Sequence, residues 1–234
     1  MIVSVLTSTC NRARFIPRLI EMYTKQTYPH EKMEWIILDD GETKVESLFL
    51  NSGLPNIRYE SLSTKLPMGA KLNLLKSKAN GEILVVMDDD DYYPPERIQT
   101  VIDAFDQHPR KKVAGCSKVY VYYTHLNEIY STGPYHNKHA LNCTLAWKSS
   151  YNTTHSYDDE EICAVESLFL ENFTTPMIQM DTEKTILHII HSTNSFNAIK
   201  AKENGTLGLL CKTSLTLEDF IKDDSLRQSF IGAY

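Results

Sequence analysis

The stretch that decides the fold is ILVVMDDDD at residues 83–91, in which five apolar residues run directly into four aspartates. A short, continuous apolar run is typical of a strand that is covered on both faces of a parallel sheet. The sequence PPERI follows at residues 94–98, and proline is tolerated where a helix begins. The acidic run is therefore predicted to lie between a buried strand and a helix, and not in a tail.

The same alternation of strand and helix occurs upstream and downstream. Residues 2–6 and 35–38 are further apolar runs, and each ends abruptly in polar residues. Apolar residues recur at helical spacing over residues 16–23 and 98–105, which predicts two amphipathic helices. Strands that alternate with helices predict an α/β domain with a central, mostly parallel sheet, and ligands of such sheets bind beyond the carboxyl ends of the strands.

The second half of the chain is less regular. Residues 119–123 and 186–191 predict strands, and apolar spacing predicts a helix over residues 161–172. Residues 127–157 are rich in Tyr, His, Asn, Ser and Thr, a composition that suits loops over a polar substrate. A C-terminal helix is predicted to begin at Thr216, where a capping arrangement precedes apolar residues.

Composition limits the classes of protein. A chain of 234 residues fits one sizeable α/β domain, so we predict a single domain over residues 1–234. The net charge of -6, with scattered basic residues, argues against nucleic acid as a partner. Five widely spaced cysteines without a CxxC pair suit a reducing compartment, and neither a leader nor a transmembrane segment is recognisable, so we expect a cytoplasmic protein.

The first two strand ends carry polar groups of modest specificity. The segment after residues 2–6 contains Ser8, Thr9 and Arg12 directly before a helix, where backbone N–H groups and an arginine can bind phosphate. An ordinary helix cap with an exposed arginine is the alternative interpretation. Asp40 follows the second strand, and its carboxylate either accepts from a nucleotide or belongs to an Asp-Gly turn.

The third strand end is the most informative. Four adjacent carboxylates at residues 88–91 repel one another unless a cation or water relieves them, and a hard divalent ion fits that need. The alternative is a solvated charge run, which is what most acidic runs are. Because this run follows a core strand and precedes a helix, we favour a metal site.

Taken in order, these segments resemble the family 2 glycosyltransferases, which have the GT-A fold. The resemblance covers about the first hundred residues, and several motifs in order are more specific than any one of them. The matching segments are residues 2–12, 26–29, 34–41, 69–73, 79–91 and 95–98.

The resemblance implies a set of donor-binding residues. The residues that match those holding the nucleotide base and phosphates are Ser8, Thr9, Arg12 and Asp40. Asp40 corresponds to the carboxylate that usually faces the uracil ring, and Lys71 to a basic residue near the donor. Cys10 departs from the aromatic residue usual at its position.

The resemblance also implies a metal site. Asp88 would face the ribose or the metal, and Asp90 would bind the metal through the donor diphosphate. A shell of carboxylate and phosphate oxygens suits Mn²⁺ or Mg²⁺ better than zinc. His191 resembles the C-terminal histidine that completes this site, although a lone histidine is also often structural. We expect His188 to point the other way along its strand.

The implied activity is transfer of a sugar, by a metal-dependent and inverting reaction, from a nucleotide sugar such as a UDP-sugar to a glycan or other hydroxyl acceptor. Residues 1–100 would bind the nucleotide sugar, and residues 101–234 the acceptor. One alternative is a sugar nucleotidyltransferase, although its glycine-rich N-terminal loop has no counterpart here. The other is a non-catalytic module that binds a nucleotide sugar or glycan.

An inverting transfer needs a carboxylate base, and Glu166 is the prediction. The acidic residues 158–161 would cap the start of the predicted helix, which explains them without catalysis. Glu166 lies four residues after Ile162 and three before Phe169, on the face expected to pack inward, where a carboxylate is costly unless it has a task or a partner. The alternative is a salt-bridged glutamate at the border of the apolar stripe.

Overall fold

The computed structural model describes residues 1–194, 198–205 and 208–231. The strands are β1 (Val3–Thr9), β2 (Met33–Asp39), β3 (Ile57–Ser61), β4 (Ile83–Val86), β5 (Val113–Gly115), β6 (Val119–Tyr123), β7 (Glu128–Thr132), β8 (Ala146–Lys148), β9 (Ile178–Gln179), β10 (Leu187–Ile190) and β11 (Leu210–Lys212). The α-helices are α1 (Ile16–Thr24), α2 (Glu46–Leu50), α3 (Met68–Ser77), α4 (Arg97–Gln107), α5 (Glu166–Phe169), α6 (Ala198–Glu203), α7 (Leu217–Phe220) and α8 (Asp224–Gln228).

The central sheet has seven strands in the order β3-β2-β1-β4-β8-β5-β9. The first four are parallel to one another, β8 is antiparallel to both of its neighbours, and β9 is parallel to β5. Every residue of β2 and β4 is buried, as expected for strands covered on both faces. The mostly parallel sheet flanked by helices that the sequence predicts is confirmed.

The register of these strands brings the predicted strand ends to one edge. Thr9 of β1 lies opposite Asp39 of β2, and the backbone N–H of Met87, just after β4, donates to the carbonyl of Leu6 at 3.0 Å. The segments that follow β1, β2 and β4 therefore leave the sheet side by side. This is the geometry that lets residues far apart in sequence form one site.

A second sheet brings the C-terminal half to the same edge. Its four strands lie in the order β10-β6-β7-β11. Tyr92 and Leu187 exchange backbone hydrogen bonds of 3.1 and 2.9 Å, so β10 is fastened to the chain directly after the acidic run. The residues that follow β10 are consequently held against that run.

Two regions differ from the sequence-based expectation. The helix predicted over residues 161–172 is only the four-residue α5, since Ala164 before it and Glu171 after it have positive φ angles of 51° and 52°. Residues 127–157, predicted as loops, contain β7 and β8. β8 has three residues, and its place in the sheet depends on pairing with β4 and β5, which local periodicity does not reveal.

Other predictions are confirmed. Helices α1 and α4 lie where the apolar spacing placed them, and the C-terminal α7 follows Thr216, whose backbone N–H donates to Asp219 at 2.7 Å. Trp147, in β8, is fully buried in the core. In the described part of the chain, every helix is too short or too polar to cross a membrane.

Candidate active site

Asp40 and Lys71, both predicted to contact the donor, form a buried ion pair. The Lys71 ammonium lies 3.1 Å from Asp40 Oδ1, and the side chains are 6% and 0% exposed. The other carboxylate oxygen accepts from the backbone N–H of Leu66 at 2.9 Å. The end of β2 and the first turns of α3 are thereby joined at the edge of the sheet.

The neighbouring Asp39 has a different role. Its carboxylate accepts from the backbone N–H groups of Gly41 at 2.8 Å and Val45 at 3.0 Å, and from the hydroxyl of Tyr59. These bonds fix the turn after β2. Of the two adjacent aspartates, Asp39 is thus committed to the turn and Asp40 faces Lys71.

Ser8, Thr9 and Arg12 follow β1 as predicted. Thr9 is buried, and the Ser8 hydroxyl lies 3.5 Å from the sulfur of Met68. Arg12 reaches across the edge of the sheet to the acidic run, where its guanidinium pairs with Asp89 at 3.1 Å and with Asp90. In this structure the arginine predicted to contact phosphate is held by carboxylates.

The acidic run and His191 come together, as predicted. The imidazole Nε2 of His191 lies 3.1 Å from Asp90 Oδ2, and the histidine side chain is fully buried. Asn194 donates to the same carboxylate oxygen at 3.3 Å. Asp90 is therefore the carboxylate on which Arg12 and His191 converge.

His188 also reaches the acidic run, and the expectation that it points away is wrong. Its Nδ1 lies 2.7 Å from Asp91 Oδ1, which also accepts from the backbone N–H of Ile189 at 2.8 Å. The two histidines are three residues apart, and β10 ends between them at Ile190. Strict alternation does not apply beyond the end of a strand, so both imidazoles contact carboxylates of the same run.

Asp88, Asp89 and Asp90 differ in their protonation behaviour. Burial and the neighbouring aspartates raise the pKa of Asp88, and burial together with Asp90 raises the pKa of Asp89 to about 7. Burial alone would also raise the pKa of Asp90, but the hydrogen bond from His191 and the charge of Arg12 outweigh it and hold that pKa below its usual range. Of these three carboxylates, Asp90 is thus the most firmly ionised.

The residues present fit a divalent cation. Oδ2 of Asp89, which lies between Asp88 and Asp90, is buried and has no hydrogen-bond partner among the described residues. A buried carboxylate oxygen without a partner is costly, and a cation would relieve that cost. Carboxylate oxygens with imidazole nitrogen are also donors that Mn²⁺ accepts.

Glu166 is buried, as predicted, although the argument from a helix face was wrong. Ile162 is 70% exposed, and Glu166 is the first residue of α5, so it and not residues 158–161 occupies a first helical turn. Burial raises the pKa of the Glu166 carboxyl to about 7, opposed only by its own backbone N–H. The pKa of Tyr157 is raised by burial and then by the charges of Glu166 and Asp88, which places both carboxylates near one ring.

The sequence matches the glycosyl transferase family 2 over residues 4–159. The chain belongs to this family. It is 29% identical over 108 residues to an uncharacterized glycosyltransferase of Nostoc, covering 45% of this chain and 33% of that protein. It is 27% identical over 121 residues to the poly(ribitol-phosphate) beta-N-acetylglucosaminyltransferase TarS of Staphylococcus aureus, covering 45% of this chain and 19% of TarS. The chain thus spans a third or less of the length of these relatives.

Solved structures share the fold. Residues 1–349 of S. aureus TarS in complex with UDP-GlcNAc superpose with a TM-score of 0.64 at 18% identity, covering 83% of this chain and 60% of that one. The mannosyltransferase PcManGT of Pyrobaculum calidifontis, in complex with GDP-Man and Mn²⁺, gives a TM-score of 0.63 at 14% identity, covering 82% and 58%. The GT-A fold predicted from the sequence is confirmed.

Proposed function

We propose that this chain is the catalytic region of a metal-dependent, inverting glycosyltransferase that moves a sugar from a nucleotide sugar, most simply a UDP-sugar, to a hydroxyl acceptor. One observation carries the proposal. One edge of the sheet brings together the Asp40–Lys71 pair and the acidic run with His191, and the charge of the buried Glu166 acts with that of Asp88 on the pKa of Tyr157. These groups would supply nucleotide binding, a cation site and a base, which are the three requirements of the reaction.

The donor would lie along the ends of β1 and β2. Asp40 presents a buried carboxylate for a base N–H, while Lys71 and Arg12 supply positive charge for the diphosphate. Arg12 would have to exchange its present partners, Asp89 and Asp90, for phosphate oxygens. The superposable TarS and PcManGT structures hold UDP-GlcNAc and GDP-Man, which supports a nucleoside diphosphate sugar as the class of donor.

Asp88, Asp90 and His191 would hold the metal, for which we propose Mn²⁺ or Mg²⁺. The ion would supply positive charge that stabilises the departing diphosphate. His191 and Asn194 orient the Asp90 carboxylate from the side of β10. Because leaving-group charge is met in this way, no acid of the protein is required to protonate the diphosphate.

Glu166 would act as the base. Inverting transfer requires one carboxylate to take the proton of the acceptor hydroxyl as its oxygen attacks the sugar carbon. A carboxyl with a pKa of about 7 suits this task, because it is ionised near neutral pH and still basic enough to accept the proton. The charges of Glu166 and Asp88 both raise the pKa of Tyr157, which supports a base beside the proposed donor site.

The same proposal includes the arrangement of the chain and its compartment. Residues 1–234 would form one catalytic domain, with donor contacts mainly from residues 1–100 and acceptor contacts from residues 101–234. All five cysteines are unpaired, which supports a reducing compartment such as the cytosol.

A donor panel tests this function. The purified protein is incubated with UDP- and GDP-sugars with Mn²⁺ or with EDTA, and release of the nucleoside diphosphate is followed. We expect slow hydrolysis of one class of donor that requires the metal and is lost in Glu166→Gln, while that variant still binds the nucleotide. Nucleotide binding without turnover of any donor, with acceptors supplied, would instead favour a binding module.

A further inference from the structure

A second cluster of metal-binding side chains lies next to the proposed donor metal. One ligand atom from each of Asp91, Cys143 and His188 lies within 4.8 Å of the other two. The residues come from three parts of the chain, namely the acidic run, the short 3-10 helix Asn142–Thr144 and β10. None of them is used in the transfer reaction proposed above.

Hydrogen bonds within the described residues satisfy only one of the two carboxylate oxygens of Asp91. Its side chain is fully buried, and its Oδ1 accepts from His188 and from the backbone N–H of Ile189. Its Oδ2 has no hydrogen-bond partner in the described residues. One oxygen therefore fastens β10 to the acidic run, while the other is a buried acceptor that lacks a donor or a cation.

The position of Cys143 is fixed by neighbouring groups. The carbonyl of Cys143 accepts from the hydroxyl of Tyr93 at 3.3 Å, and the same hydroxyl accepts from the backbone N–H of Asp88 at 2.8 Å. The hydroxyl of Tyr93 thus links the backbone of Cys143 to the backbone of the acidic run by two hydrogen bonds. His188 remains 27% exposed, which leaves a route by which an ion can enter.

We propose that Asp91, Cys143 and His188 form a Zn²⁺ site, distinct from the Asp88, Asp90 and His191 set. A carboxylate, an imidazole and a thiolate are ligands that zinc combines in proteins, whereas Mg²⁺ and Mn²⁺ favour oxygen donors. Three protein ligands leave a fourth position for water, as in open zinc sites. When zinc binds, the Cys143 thiol and the imidazole of His188 that now donates to Asp91 each release a proton to solvent, and the ion keeps its oxidation state.

Co²⁺ is a suitable probe because a cobalt–thiolate bond gives a charge-transfer absorption that oxygen and nitrogen ligands do not give. The starting protein is Cys163→Ser/Cys211→Ser, which removes both exposed thiols. We expect the charge-transfer band to appear on addition of Co²⁺ and to disappear when Zn²⁺ is added, since Zn²⁺ binds such donors more tightly. The measurement requires no donor sugar, so its result is separate from that of the donor panel.

Variants locate the site. Cys143→Ser should abolish the band, and His188→Asn should weaken Zn²⁺ binding by more than the roughly 10- to 100-fold that loss of an outer-shell partner costs. The matched control His125→Asn, at an exposed histidine, should leave both unchanged. Absence of the band in the starting protein, or its retention in Cys143→Ser, would overturn the proposal. Should Cys143→Ser fail to fold, an unchanged Zn²⁺ affinity in His188→Asn, at a partly exposed position, would overturn it equally.

Discussion

Asp39 and Asp40 are adjacent in sequence, yet their hydrogen bonds give them different tasks. Asp39 accepts from two backbone N–H groups of the turn that it begins, whereas Asp40 faces Lys71 across the edge of the sheet. The Asp40-Gly41 pair alone predicts a turn, and the hydrogen bonds that fix this turn are accepted by the carboxylate of Asp39. Only the resemblance to a family identifies Asp40 as the residue of functional interest.

Some residues of the two proposed metal sites could be predicted from the sequence, and others could not. Asp90 and His191 could be found because each lies just beyond an apolar strand. His188 could not, because its contact with Asp91 depends on how β10 meets the chain after the acidic run at Tyr92. Cys143 belongs to a 3-10 turn whose position depends on long-range strand pairing.

The pH dependence of transfer should report the ionisation of Glu166. Because the base must be ionised, kcat/KM should rise as pH passes through about 7, the pKa of this buried carboxyl, and level off above it. Glu166→Gln should abolish transfer at every pH. Steady-state rates across the pH range check this, with Glu160→Gln, an exposed neighbour, as the matched control. An active Glu166→Gln together with an inactive Glu160→Gln would move the base to the segment before α5.

Folding stability should change with pH in the opposite direction to activity, because the same carboxyl is more easily ionised in the unfolded state. Burial raises the pKa of Glu166 from 4.5 to about 7, so between these values the folded state binds more protons than the unfolded state, and stability falls as pH rises. Glutamine cannot ionise, so Glu166→Gln should be close to neutral in acid and stabilising by up to about 3 kcal/mol above the folded pKa. Thermal unfolding at about pH 5 and about pH 8, without metal, checks this. An equal difference in Tm at both pH values would contradict it.

Helix α3 shows how one element positions two parts of the site. Lys71 on this helix meets Asp40, while Asn73 donates to the carbonyl of Tyr157 at 2.9 Å and to the Asp159 carboxylate at 2.7 Å. The segment that leads to Glu166 therefore rests on the helix that carries the donor-site lysine. The sequence predicted neither contact of Asn73, because Tyr157 was assigned to a loop and Asp159 to the cap of a helix, and local patterns do not show which distant element such residues pack against.

Gly69 permits this packing. A Cβ at Gly69 would lie 1.7 Å from the carbonyl oxygen of Asp158, and the N–H of Gly69 donates to Glu161 at 2.9 Å. Gly69→Ala should force the segment away from α3, with a cost of about 1–3 kcal/mol and a fall in kcat as Glu166 moves. Thermal unfolding and steady-state kinetics measure the two effects.

Gly81→Ala is the matched control for Gly69→Ala. A Cβ there would lie 2.6 Å from the backbone nitrogen of Ser4, so a similar loss of stability is expected at a position before β4, at the opposite end of that strand from the acidic run. If both variants lose stability but kcat falls equally in the two, α3 has no special role in positioning Glu166.

The proposed metal site draws on both halves of the chain, although donor contacts were assigned to residues 1–100 and acceptor contacts to residues 101–234. The first half supplies Asp40, Lys71 and the acidic run, but His191 and Asn194, which contact Asp90, belong to the second half. Alternating strands and helices predicted the first half well because its signals are local. The second half depends on an antiparallel insertion and a second sheet, and pairing between distant segments is weakly encoded in local periodicity.

The last prediction concerns the response of the whole fold to its ligands. A ligand that binds only the folded state stabilises it by mass action, by about 2.7 kcal/mol when present at 100 times its Kd, which corresponds to a rise in Tm of about 5–10 °C for a chain of this size. We expect such a rise with UDP and Mn²⁺ together and little with UDP and EDTA, because Asp90 would bind the diphosphate through the ion.

Asp90→Asn should remove the shift, whereas Asp103→Asn, at an exposed position of α4, should keep it. The shift is compared within each variant, since Asp90→Asn also loses its contact with Arg12. Equal shifts with UDP in Mn²⁺ and in EDTA would mean that the nucleotide binds without the metal, and the acidic run would then need another role.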